Sequence, residues 1–354
     1  MNKIFIFMLS IIPVCQSAYA QSSITLYGVV DDSLTYVNNV AGGKFVGMQS
    51  QKQWPNYFGL TGAEDLGAGL RAVFKIEEGL NLNTGSSYAR TSMVGLSSNE
   101  FGTLTLGRQI DLYANVTQLT STFYANAIDG LHPGDYDRLA VVFLNNAVKY
   151  ASPTIDGFRL DGLYSFGSAD SGTTNGGRAF EVAANYKNSI VSASTVYGSI
   201  NGIAVTPYND IGVPELFGHS LSASTTFNLT HSDIFTAGAA VTLEAWRLSA
   251  VYSNTRMKAG GVTERLSSYD AGVGWLPRPD LKFGIGYVYS SLDGYHWNSG
   301  NAAANYSLSK RTTLYLDGSL IKASGPNVRA ALTSMTPSST DLQALVRVGI
   351  EHSF

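Results

Sequence analysis

A chain of 354 residues is too long for one small domain and about right for one large β architecture. Charged residues make up 14%, where a typical soluble domain has about 25%, while Gly (37), Tyr (20) and Phe (16) are plentiful and Pro (10) is scarce. The formal charge of −3 offers no basic surplus, so no nucleic-acid partner is expected.

Residues 1–20 read as a signal peptide. Lys3 supplies the positive start, 4–14 a short apolar run, and Ala18-Tyr19-Ala20 an A-x-A cleavage site. The run is too short to span a bilayer as a helix. Cleavage would leave 334 residues beginning at Gln21, with a formal charge of −4. The single cysteine, Cys15, lies inside this segment after Val14, where a lipoprotein signal needs a small residue. The exported protein therefore lacks a disulfide, a thiolate nucleophile and a cysteine metal ligand, and a closed hydrogen-bonded barrel is the device left to hold it together.

From there on, period-2 alternation runs to the C-terminus and no apolar stretch approaches 18 residues. Sixteen strands are predicted, over 24–37, 54–63, 70–80, 89–97, 103–111, 144–153, 158–166, 178–186, 189–199, 233–243, 246–256, 267–276, 281–292, 296–308, 311–322 and 341–354. In the last, Leu342, Ala344, Val346, Val348, Ile350 and Phe354 share one face, and Gln343, Arg347, Gly349, Glu351 and Ser353 the other, with Leu345 the one apolar member there. A soluble sandwich alternates too. Three features favour a membrane barrel: apolar-phase runs about ten residues long, aromatics at their ends (Tyr27, Trp246, Trp275, Tyr289, Phe354), and connections alternating short and long. The long ones include 38–52, 112–143, 200–232, 257–266 and 323–340; the strand-like stretch 221–228 is placed in one of them. In lipid every backbone polar group must pair within the protein. The fold expected is therefore all-β: one antiparallel transmembrane barrel spanning 21–354, both termini periplasmic, wide enough for an aqueous channel.

The 112–143 connection is longer than a compact domain tolerates without a reason, and Asp129, Asp135 and Asp137 lie in its second half. On the strands before it, Arg71 and Lys75 alternate with apolar residues and point away from lipid, where a cation at midplane would cost ~2–4 kcal/mol. Arg90 and Arg108 follow on the next two strands. Arg108 shares parity with Leu104 and Leu106, and Gly107 suits a bulge that re-aims it.

Several segments resemble the general porins of Gram-negative bacteria, most closely the β-proteobacterial branch. They are SSITLYGVVDDSLTY, GLTGAEDLGAGLRAVFKIEEG, VGLSSNEFGTLTLGRQIDLY, NNAVKYASPTIDGF and the terminal VGIEHSF. They occur in the family's order over most of the chain. The resemblance implies a sixteen-stranded homotrimer of the outer membrane, with the third outer loop folded inward as a constriction. It implies that Phe354 is the signal read by the barrel-assembly machinery. Outer-membrane lipid, lipopolysaccharide and small hydrophilic solutes are the other partners it implies. One departure stands out: where relatives carry an Arg before the NN-[SA]-V-K-Y motif, this chain has Phe143, which leaves the basic wall a cation short unless Arg138 or Lys149 compensates.

No enzyme, cofactor or metal chemistry is expected. His132, His219, His231, His296 and His352 show no H-x-x-x-H spacing, and neither a G-x-S-x-G elbow nor a phosphate-binding Walker loop occurs. The adjacent Glu77 and Glu78 point to opposite faces of a strand, and Gly284 and Gly286 read as packing or bulge positions. The expected function is a water-filled channel for passive diffusion of ions and small hydrophilic solutes, weakly anion-preferring. Three rivals remain: a barrel enzyme, for which no nucleophile is singled out; a substrate-selective channel, which needs inward aromatics such as Tyr27 and Tyr315; and a surface adhesin on a barrel anchor.

Overall fold

The computed structural model describes residues 23–125, 128–167 and 176–354. The expected signal peptide and its cleavage site lie outside the described residues. The strands are β1 Ser23–Val40, β2 Gly43–Ser50, β3 Tyr57–Gly67, β4 Leu70–Leu80, β5 Ser87–Ser98, β6 Gly102–Ile110, β7 Phe143–Ala151, β8 Phe158–Phe166, β9 Arg178–Lys187 and β10 Val191–Ile200. Four short strands follow: β11 Ile203–Val205, β12 Glu215–Leu216, β13 His219–Ser220 and β14 Phe227–Leu229. The last seven are β15 His231–Leu243, β16 Trp246–Ala259, β17 Val262–Arg278, β18 Leu281–Leu292, β19 Tyr295–Ser307, β20 Thr312–Ser324 and β21 Leu342–Ser353.

All but the four short strands join one 17-stranded antiparallel sheet. β2 and β3 pair with the same side of β1, Asp32 facing Ser50 and Val29 facing Tyr57, and so share one position in the wall. That makes sixteen positions. β21 pairs with the other side of β1, from Val29–Ser353 to Val37–Leu345, and closes the barrel. The pleat is inverted relative to a soluble protein: Val346, Val348 and Ile350 are about half exposed, while Leu345 and Arg347, on the alternate phase, are buried. Apolar side chains face outward because lipid is the outer solvent, and closure leaves no edge backbone unpaired in it.

Two expected loops are largely strand. Residues 43–50 pair with β1 around a tight turn at Ala41 and Gly42, both at positive φ, so 38–52 is a hairpin. Gly42-Gly43 hides the alternation of Val46 and Met48, both of which face outward. The irregular stretch is 51–56, and it is pinned by Asp31, whose Oδ2 accepts the Lys52 and Gln53 amides at 2.6 and 2.9 Å. Likewise 257–266 shrinks to a turn at Gly260-Gly261, because β16 and β17 extend beyond the expected ends. The stretch 221–228 adds no barrel strand, and β14 pairs with β11 in a separate ribbon. At the strand ends Trp246 and Trp275 stack with centroids 5.6 Å apart, both partly exposed. Tyr27 leaves the expected outer girdle, since its hydroxyl donates to Glu77 Oε1 at 2.8 Å.

Candidate functional site

The segment between β6 and β7 carries two short helices, α1 Ala114–Thr117 and α2 Ser121–Ala125. Its apolar side chains, Leu112, Val116, Leu119 and Leu139, pack against Val196, Ile234 and Val251 of β10, β15 and β16. α2 approaches the wall where glycine allows it. A Cβ at Gly272 would stand 2.4 Å from Ser121 Cβ, and one at Gly286 only 2.3 Å from Ser121 Oγ. The Ser121 amide donates to both oxygens of Asp270, at 3.2 and 3.1 Å.

The segment's carboxylates are engaged. Asp129 pairs with Lys52 at 3.2 Å and with Arg347 at 2.5 Å; Arg347 is itself fully buried and also reaches Asp317 at 3.4 Å. Asp137 Oδ2 meets His132 Nδ1 and the Ser253 hydroxyl, and His132 Nε2 lies 3.7 Å from Asp270. Burial works to lower the His132 pKa, but Asp137 and then Asp270 outweigh it and raise it to about 10, so the ring is cationic at neutral pH. Burial likewise opposes ionisation of Asp137, yet the cation beside it holds its pKa below the ordinary carboxylate value. Asp135 is pushed up to about 8, by burial first and the Asp137 charge second; its Oδ1 accepts the Ala140 amide at 2.8 Å. Arg138 binds Asp111 at 2.8 Å, and Lys149 donates to the Ile110 carbonyl at 3.1 Å. Both cations that stood to replace the missing Arg are thus committed at the root of the segment.

Of the four expected wall cations, Lys75 and Arg90 come together about Glu77, at 2.8 and 3.9 Å. By simple alternation Arg90 would share the outward phase of Val94. A register shift between Ile76 and Glu78 breaks that phase, and Arg90 is buried, 4.6 Å from the Tyr57 ring and 4.9 Å from Phe143. Arg108 lies 5.3 Å over the same Phe143 ring and donates to Asn145, beside a bulge at Gly107. Arg71 is exposed near the 67–70 turn, opposite Asp65, four residues along the strand from Lys75.

A cavity of about 1160 Å³ lies beside these groups. Arg159, Lys187, Arg247 and Lys282 border it, against the single acidic side chain Glu351; Tyr27, Trp54, Tyr57 and Phe123 add aromatic surface. A recess of about 260 Å³ shares Trp54, Tyr57 and Phe123 with it. Sequence reasoning passed over Lys52, Arg159, Lys187, Arg247, Lys282 and Arg347 as site residues. Parity carried the signal for some: Arg247 falls between the outward Trp246 and Leu248. Among the described residues no cluster of three metal-ligating side chains occurs.

The family described as Gram-negative porin matches residues 8–326. Outer membrane porin protein 32 of Delftia acidovorans is 29% identical over 367 residues, covering 98% of each chain. An outer membrane porin protein of Bordetella pertussis is 27% identical over 219 residues, 52% of this chain and 56% of that one. Among solved structures, an anion-selective porin from Comamonas acidovorans superposes with a TM-score of 0.75 at 24% identity, over 94% of this chain and 100% of that one. Outer-membrane expressed OmpT of Vibrio cholerae does so at 0.68 and 13% identity, over 94% and 98%.

Proposed function

The chain belongs to the Gram-negative porin family, a β-barrel channel rather than an enzyme, and on that premise we propose that it passes ions and small hydrophilic solutes by passive diffusion with a weak preference for anions. The observation that carries the preference is the neutralisation of the expected acidic side. Asp129 is balanced by Lys52 and Arg347, and Asp137 by His132, so neither projects an uncompensated negative field. The large cavity meanwhile has Lys187, Arg247 and Lys282 on its border besides Arg159, which Asp161 pairs at 2.8 Å, against the one acidic side chain of Glu351. Fields are screened over ~8 Å at physiological salt, so these charges act where the passage is narrow. The packing of the 112–142 segment on β10, β15, β16 and β17 supports its folding inward as the constriction.

In this reading Lys75 and Arg90 carry the basic wall, with Arg108 behind Phe143 and Arg71 nearer the short-turn end. Asp135, its pKa pushed up to about 8 by burial and the Asp137 charge, is largely protonated at neutral pH and adds little negative field. Anion selectivity in the Comamonas acidovorans porin accords with it. The reading also includes cleavage of 1–20, insertion among outer-membrane lipid and lipopolysaccharide, a homotrimer, and recognition of Phe354 by the barrel-assembly machinery. The test is the reversal potential across a planar bilayer in a salt gradient. Replacing Arg71 and Lys75 together with Gln is expected to shift it toward cations without abolishing conductance, and Asp135→Asn with Asp137→Asn to shift it the other way. A reversal potential unmoved by both pairs refutes the charge assignment.

A further inference from the structure

The recess of about 260 Å³ lies between the 112–142 segment and the wall at Gln53–Tyr57, the second half of β4 and Arg90 of β5, and its lining is divided in character. One end is apolar, formed by Trp54, Phe123, Ile128 and Leu139, with the Trp54 and Phe123 rings edge-to-face at 5.8 Å. The other end is charged, formed by Lys75, Arg90 and Glu77. Two cations against one carboxylate leave that end with a surplus positive charge.

The charged end is also incompletely paired. Arg90 is 6% exposed, and its Nε finds no hydrogen-bond partner among the described residues; Glu77 Oε2, 3.9 Å away, finds none either. The Tyr57 and Phe143 rings, 4.6 and 4.9 Å from the guanidinium, flank it without accepting a conventional hydrogen bond from its Nε. A buried donor left unpaired costs about 1–3 kcal/mol, and more when charged. An acceptor brought by a ligand removes that cost. The volume falls just below the ~300–1,000 Å³ of ordinary ligand sites, which limits the occupant to about one small ring.

We propose that this recess is a binding subsite for small aromatic monocarboxylates, with the carboxylate on Arg90 and Lys75 and the ring against Trp54 and Phe123. The proposal rests on the pore reading above. It adds a saturable station beside an otherwise non-specific path, so that at low concentration aromatic acids are drawn into the channel. Apolar solutes gain nothing from the charged end, and small hydrophilic anions gain nothing from the ring-lined end.

The experiment uses the purified protein in a planar bilayer, with chloride as carrier ion and benzoate, cyclohexanecarboxylate or acetate added at constant ionic strength. Benzoate is expected to reduce the chloride current along a saturating curve, cyclohexanecarboxylate to do so at higher concentration, and acetate to follow simple dilution. Arg90→Gln should raise the half-saturating benzoate concentration about tenfold, the loss of one charged hydrogen bond. Ala114→Trp, which fills the recess without touching its charges, should abolish saturation; Ile128→Phe is the second filling variant should the first assemble poorly. Benzoate behaving as acetate does, or saturation surviving both filling variants, overturns the subsite. Equal potency of benzoate and cyclohexanecarboxylate overturns its aromatic preference. Absence of any chloride current overturns the pore reading instead, and the subsite with it.

Discussion

Replacing His132 with Gln tests how the 112–142 segment is held against the strands it packs on. The imidazole is fully buried, touches Asp137 and Ser253, and stands 3.7 Å from Asp270. Glutamine keeps hydrogen-bonding capacity but removes the charge, leaving Asp137 as a buried anion with the Ser253 hydroxyl as its remaining side-chain partner. Breaking a buried pair from one side costs about 3–5 kcal/mol. The rise of the His132 pKa from 6.5 to about 10 gives a second route: at 1.36 kcal/mol per unit it corresponds to about 5 kcal/mol. The sign follows from the direction of the shift. The contribution is complete below pH 6.5 and is lost as pH rises through about 10. Asp137, whose pKa is lowered, sets the other limit: its share is present above the ordinary carboxylate value of 3.8 and is lost on acidification below it. Backbone hydrogen exchange is the assay. At pH 7 the variant should exchange amides of 128–140 about 10²–10⁴ times faster than the parent, with barrel strands unchanged. Loop exchange within about twofold of the parent would mean the buried pair contributes no anchoring, and would refute the argument.

Other consequences are testable more simply. Gly272→Val places side-chain carbon where Ser121 now sits, so it should displace α2 and change single-channel conductance, while heat-modifiable migration on a gel still reports a folded barrel. Deleting Phe354 should reduce outer-membrane insertion more than it alters the conductance of protein that does insert; membrane fractionation compares the two. If the proposed homotrimer forms, the unboiled protein should run as a large species that collapses to monomer on boiling, and monomer migration with negative cross-linking would count against it.

The barrel was legible because lipid reverses the usual burial rule. Leu314, Leu316 and Leu320 declare the outward face of β20 by simple alternation, and all three are exposed. β2 escaped notice because its turn glycines run straight into a short alternating stretch, so that composition suggested a loop. The site was less legible for two physical reasons. Arg90 changes face at a one-residue irregularity in register, which periodicity does not reveal. The partners of the loop acids lie far along the chain: Asp129 finds Arg347, and Asp137 finds Ser253. Spacing could identify those acids as a group, but not that folding would neutralise two of them.

The seam has a kinetic meaning. Gly28 and Phe354 exchange both backbone hydrogen bonds, at 3.1 and 3.0 Å, and the Phe354 ring lies so close over Gly28 that a Cβ there would stand 2.4 Å from it. Every other pairing in the wall joins strands near one another in the chain, β1–β3 across the β2 hairpin and β10–β15 across the short outer strands being the two that skip an element, so each costs only a modest loop entropy. The β1–β21 pairing is the one step that draws together opposite ends of the sequence. A growing sheet can therefore zip hairpin by hairpin, yet it keeps two open, aggregation-prone edges until the last strand arrives. Slow closure at a single joint, more than slow strand formation, is then what sets how long the nascent barrel needs protection.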